Sequence, residues 1–247
     1  MPPPLGEIAA VARLDDEALG HDARGSRRDV LYGLLRREQA IAASGASPRS
    51  EVSRILDFAQ AAYGDVVGVL VGRDDKLLDI ARDGEWTLRD MLRHAMAVEL
   101  RYAAQVDYSA TRSDGDPVQI PPALLPCDRL SPPEPAFAAS RTGKVLELLQ
   151  LLGEARASSD ARLAKVPDSA LARPSMWGAQ LLDVRIRLHQ VAVHLTETAI
   201  QIEKIVGSGG ELRAIIRRSC ITRGMHERWS PGKERAALDE SYHALKV

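Results

Sequence analysis

Apolar positions recur along most of the chain at intervals of three and four, the spacing of helices that bury one face. Between residues 51 and 72 they fall at Ile55, Phe58, Ala59, Ala62, Val66 and Leu70, with Ser50 or Ser53 placed to cap the start. A second helix opens at Thr87, an N-cap residue with Asp90 three positions on, and runs to residue 108. A third is predicted over 141–165 and is closed by Pro167. A fourth spans 182–206 and ends at Gly207-Ser208-Gly209-Gly210. A fifth covers 211–223, followed by a polar tail with a short helix near 234–245. The stretch 114–135 breaks the pattern: it holds seven of the 14 prolines (Pro117, Pro121, Pro122, Pro126, Pro132, Pro133, Pro135) and reads as a stiff loop, either a lid or a packing arm.

Polar residues that interrupt these apolar faces carry the candidate chemistry. On the second helix Leu88, Met91, Leu92, Ala95 and Tyr102 share a stripe, and Glu99 falls inside it, where a lone carboxylate is costly unless paired. His94 lies at the edge of that stripe. The fourth helix has two apolar stripes, one of Val184, Leu188, Val191, Leu195 and Ile202, the other of Ile186, Val193 and Ile200 on the opposite side. A helix apolar on two sides is expected to lie between neighbours. Beside the first stripe run Arg187, His194 and Gln201, with Glu197 and Thr198 one turn beyond His194. His189 points ~140° away from His194, so the two do not share a ligand from one straight helix. A histidine at the border of a core is commonly a hydrogen-bonded structural residue; two on separate helices also suit a ligand pair or a catalytic base.

Composition narrows the class. Aromatic residues are scarce at 4%, and Ala, Leu and Arg are abundant, which favours helix over strand. The 33 basic and 34 acidic residues nearly cancel, so no global charge attracts nucleic acid. Arg213, Arg217, Arg218 and Arg223 form the one basic cluster, more simply a solvated helix face than a phosphate site. No signal segment is read at the N-terminus, and the longest apolar run, 66–71, is far too short for a membrane span; a cytoplasmic protein is expected. Cys127 and Cys220 sit in no metal or redox spacing. The segments 28–38 and 89–99 echo one another as RDVLYGLLRRE and RDMLRHAMAVE, with Asp15, Asp16 and Glu17 upstream of the first and Asp74 and Asp75 upstream of the second. The echo suggests a partial repeat of a helical hairpin, or a common helix opening used twice; Gly33 stands where the second copy has His94.

The run Gly84-Glu85-Trp86-Thr87-Leu88-Arg89-Asp90-Met91-Leu92-Arg93-His94 resembles the helix start of the DinB superfamily, G-x-W-S/T-x-R-x-x-x-x-H. Trp177, then VRIRLH at 184–189 and HLTETAIQIEK at 194–204, is similar to a second stretch of that superfamily. The order and spacing cover residues 51 to 206. The resemblance implies an all-α, DinB-like four-helix up-down bundle over 51–206, with the Pro-rich loop (110–140) inside it. Residues 1–50 would form an N-terminal helical arm and 207–247 an extra C-terminal helix and tail. Relatives include bacillithiol transferases and mycothiol-dependent maleylpyruvate isomerases, so the implied activity is metal- and thiol-dependent transfer or isomerisation of a small molecule.

The resemblance also implies three histidine ligands for a divalent metal, zinc or nickel. Two fall on His94 and His194; the third falls on Thr198, a departure, since a neutral hydroxyl is a poor ligand beside imidazole. Gly178 follows Trp177 where relatives often carry an acid. Three readings stay open. Glu197 could complete a two-histidine, one-carboxylate metal site. The crevice could bind a small molecule without metal, with His94 or His194 as general base and Glu99 or Arg187 orienting it. Or the bundle serves only binding and assembly. Thr198 and Gln201 are the positions expected to contact a cofactor, a low-molecular-weight thiol in the thiol-dependent reading. The expected partners are a small-molecule substrate and a second copy of the chain, with neither nucleic acid nor membrane. The Pro-rich loop is expected to cover the crevice.

Overall fold

The computed structural model describes residues 5–14, 19–22, 25–44, 49–81, 84–229 and 232–243. Asp15, Asp16 and Glu17 of the upstream acidic segment, and the end of the tail helix expected at residue 245, lie outside them. The described helices are α1 (Leu5–Ala12), α2 (Arg27–Ser44), α3 (Glu51–Leu70), α4 (Leu88–Thr111), α5 (Ala136–Thr142), α6 (Val145–Leu163), α7 (Val184–Val206), α8 (Glu211–His226) and α9 (Gly232–His243). Two small antiparallel hairpins join them, β1 (His21–Asp22) with β2 (Gly25–Ser26), and β3 (Pro174–Trp177) with β4 (Gln180–Asp183). The protein is an all-α bundle, and none of the described helices is long and apolar enough to cross a membrane.

Local chemistry sets the helix ends. Ser50 caps α3 by accepting from the Ser53 amide, and Thr87 caps α4 by accepting from Asp90. The helix expected over 141–165 is two: α5 stops at Gly143, and α6 begins afresh where Glu147 accepts from the Lys144 amide and Asp75 from the Val145 amide. The fourth bundle helix starts at Val184, two residues later than its periodicity suggests. Residues 180–183 pair with 174–177 as a hairpin first, and the Asp183 carboxylate then accepts from the Ile186 amide.

Helices α3, α4, α6 and α7 form the bundle, with α3 against α7 and α6, and α4 against α6 and α7. Their directions follow from the pairings. Glu51 meets Arg185 at the starts of α3 and α7, which are therefore parallel. Glu99 meets Arg156 and Asp107 meets Arg162, so α4 and α6 are parallel too. The bundle thus runs up-down-down-up instead of alternating strictly. The long Pro-rich connection after α4 carries the chain back to the end from which α4 set out, and a short turn could not.

The apolar core divides into two clusters along the bundle axis. One gathers Val66, Leu70, Leu92, Met96, Leu148, Leu152, Leu195 and Ile202 with residues of α1, α2 and α8. The other holds Val52, Leu56, Val106, Leu163, Val184 and Leu188. Between them lies a buried polar layer: Glu99 on α4 accepts from Arg156 on α6, and both side chains are only 1% exposed. Arg156 also reaches Asp160 at 3.4 Å, which is shared with Arg228, and Arg228 in turn reaches Asp57 at 2.8 Å. The carboxylate that the periodicity placed inside an apolar stripe is therefore paired by a residue two helices on in sequence.

Helix α8 packs antiparallel on α3 through glycines. A Cβ at Gly68 would stand 2.6 Å from the Arg217 Cα, and one at Gly64 would strike the Cys220 carbonyl. Gly64→Ala must part the two backbones, and we expect a loss of about 1–3 kcal/mol. A urea midpoint equal to that of the wild type would show that the crossing is looser than this.

Helix α2 lies on the far side of α8, where the buried Glu38 accepts from His226. Of the basic cluster, Arg217 pairs with Asp65 and Glu203, Arg223 with Asp239, and Arg213 donates to the Val71 and Ala12 carbonyls, so three of its four members are committed inside the fold.

The second stripe of α7 departs from the expectation of a neighbour on each side. Ile186, Val193 and Ile200 are 46%, 51% and 53% exposed. Helix α8 packs on α3, and among the described residues the main neighbours of α7 are α3, α4 and the β3–β4 hairpin, which leave this outer face half exposed.

Candidate functional site

The cleft of interest lies between the first half of α4 and the second half of α7. These helices are antiparallel, so Glu85 just before α4 reaches Lys204 near the end of α7, at 2.9 Å. The cleft measures about 370 Å³ and is lined by Glu85, Trp86, Met91, His94, His194, Glu197, Thr198, Gln201 and Lys204. Histidines 94 and 194, a hundred residues apart in sequence, meet here with their Nε2 atoms 3.2 Å apart.

Each imidazole is oriented by its surroundings. His94 Nδ1 lies 2.7 Å from the Arg129 carbonyl oxygen. A carbonyl only accepts, so Nδ1 carries the proton, and in neutral His94 the Nε2 lone pair faces His194. The Trp86 ring stands edge-on to His94 at 4.9 Å and walls off that side. His194 is held well below the usual imidazole range, at about 4, chiefly because burial penalises its charged form and secondarily because His94 is close. It is therefore neutral near pH 7, the form in which imidazole binds a metal or accepts a proton.

Around this pair the cleft mixes character. Met91 and Trp86 supply apolar surface, Gln201 and Glu197 are exposed on its α7 side, and the Glu85–Lys204 ion pair stands at its rim. Thr198 is 4% exposed, and its hydroxyl donates back to the His194 carbonyl at 2.8 Å, a bond that leaves the oxygen lone pairs unused.

The structure thus gathers His94, His194, Glu197, Thr198 and Gln201 around one space. Glu99 and Arg187 stand elsewhere, which corrects their expected role beside the histidines. Glu99 is committed to Arg156 in the polar layer; burial pushes its carboxyl up, and the guanidinium opposes that. Arg187 is fully buried, donates to Gln105 and Gln190, and lies over the Tyr102 ring at 4.7 Å. Its nearest link to the site is indirect, through Tyr102, whose ring is 6.0 Å from that of His194.

Glu197 lines the cleft without joining the histidines: among the described residues no three His, Cys, Asp or Glu side chains cluster as a metal cage would need. The Pro-rich loop backs the site and contributes none of the lining residues. Arg129 holds His94 from behind, Cys127 offers its carbonyl to Arg101, and Pro117 offers its own to Tyr108.

Glu85 and Lys204 at the rim are not among the residues the sequence pattern singles out. Lys204 follows Gln201 by three positions on the cleft side of α7, a usable signal; Glu85 sits in a turn, where periodicity says nothing.

The histidine pair lies between the antiparallel second and fourth helices of the bundle, the kind of position in which helical bundles build ligand sites. The family model of the DinB superfamily matches residues 55–201, and the chain belongs to that superfamily. No curated protein and no solved structure matches it.

Proposed function

We propose that the cleft binds a divalent metal ion, zinc or nickel, between His94 and His194, and activates a low-molecular-weight thiol for transfer to a small electrophile or for thiol-assisted isomerisation of one. The observation that carries this reading is the 3.2 Å approach of the two Nε2 atoms. That separation lets both reach one ion at about 2.0–2.1 Å, the usual distance for an imidazole ligand. The donor chemistry agrees: the Arg129 carbonyl fixes the tautomer of His94 that leaves Nε2 free, and burial keeps His194 unprotonated. When bound, the ion lowers the pKa of the thiol and holds it as thiolate.

The chain's own groups do the rest. Glu197, on the cleft wall apart from the histidines, takes the thiol proton, and Gln201 orients the polar end of the bound molecule. Trp86 and Met91 exclude water from its apolar part. Lys204 and Glu85, paired at the rim, frame the entrance of the cleft.

The test is elemental analysis of the untagged protein. Close to one zinc or nickel per chain is expected, lost in the His94→Ala/His194→Ala variant while its helical circular dichroism is retained. No uptake after incubation with zinc, nickel, iron or manganese would retire the metal. A second reading then holds, favoured by Thr198 at the third ligand position: His194 Nε2 donates directly to His94 Nε2, and the pair acts as a general base without metal.

A further inference from the structure

We infer that the outer face of α7 is the contact between two copies of this chain, packed antiparallel about Val193. Ile186, Val193 and Ile200 repeat at intervals of seven, and all three are about half exposed. At ~100° per residue they fall within a narrow arc of the helix, with His189 on one flank and Glu197 on the other. Phe58 of α3, itself 58% exposed, lies against His189 with ring centroids 6.5 Å apart. Between α3 and α7 runs a groove of about 530 Å³, walled by Ala61, Ala62, Ala192, Val193 and Ile221. Contiguous exposed apolar surface of this kind marks an interaction site.

The pattern of the face argues for a second copy rather than another partner. Ile186 and Ile200 are each seven residues from Val193, and His189 and Glu197 are each four. When the helix lies antiparallel on its own copy with the dyad at Val193, each Ile186 meets the partner's Ile200. The two valines meet on the axis, and each His189 faces the partner's Glu197. A parallel pairing would set Glu197 over Glu197 and His189 over His189. The face is complementary to itself in one direction only, as a twofold contact requires.

The contact also touches the proposed site, for Glu197 lines the histidine cleft as well as the groove. The partner's His189 would fix that carboxylate at the rim. The dimer itself does not depend on what the cleft binds.

Sedimentation equilibrium of the full chain over a concentration series decides the matter. The wild type is expected to be dimeric. Val193→Asp sets two like charges on the axis and should weaken association at least about tenfold, with unchanged circular dichroism because Val193 is half exposed. His189→Glu should also loosen the dimer, and adding Glu197→Lys should restore it, since the two positions face each other only in the antiparallel register. A wild type monomeric up to its solubility limit, or a Val193→Asp variant that associates as tightly as the wild type, would overturn the inference. A double variant no tighter than His189→Glu alone would overturn the register.

Discussion

Glu99→Ala is expected to destabilise the protein by about 3–5 kcal/mol, because it leaves the Arg156 guanidinium buried without its principal carboxylate. Arg156 is 1% exposed and cannot swing out to water. Asp160, 3.4 Å from it, does not make up the loss, since that carboxylate also serves Arg228 at 2.7 Å. The layer lies between two apolar clusters, so an orphaned charge there weakens both ends of the bundle at once. Replacing Glu99 and Arg156 together by leucine should cost far less, because an ion pair gains in the interior little more than it lost in leaving water. Urea unfolding of the two variants measures the contrast. Equal losses in both would mean that the pair stabilises by attraction, not merely by mutual neutralisation.

Thr198→His is expected to tighten zinc or nickel binding by more than about a hundredfold, beyond what even a supporting hydrogen bond to a ligand contributes. Position 198 follows His194 by one helical turn and lines the same cleft, so its side chain projects toward the space between the histidines. The threonine hydroxyl offers only a weak, neutral oxygen and is turned back to the His194 carbonyl; imidazole there supplies a third nitrogen. Competition with a chromophoric chelator reads the affinity directly. An unchanged affinity would show that the ion does not sit between these two helices, even if the wild type binds one elsewhere.

The periodicity shows the long bundle helices, a cap at Thr87 with Ser50 or Ser53 as the choice for the earlier one, and the faces that carry His94 and His194, because a helix repeats its geometry every turn. It shows that Glu99 needs a partner, but not that Arg156 is the one, since pairing between helices depends on their relative rotation. It places Arg187 beside His194 by residue count, yet the side chain turns toward Gln105 and Tyr102. A seven-residue interval describes where a side chain leaves the helix, not where its long stem ends. The exposed second stripe of α7 looks in sequence like one more buried face. Only the position of α8, seated on α3 through glycines, reveals that nothing within the described chain covers it.

The strap between α4 and α5 holds seven of the chain's prolines. Each proline subtracts a donor and keeps an acceptor, so this stretch of backbone carries a surplus of lone pairs, which it spends on Tyr108, Arg101 and His94. The imidazole of His94 is thus steered by a neutral oxygen where a carboxylate could have stood. In the proposed site the group bonded behind that ligand is a neutral carbonyl, which carries no net charge to offset that of the cation. More of its positive field is left to pull electron density from whatever sulfur it holds, so a change that put an acid behind His94 should make the metal a gentler activator even if it were bound more firmly.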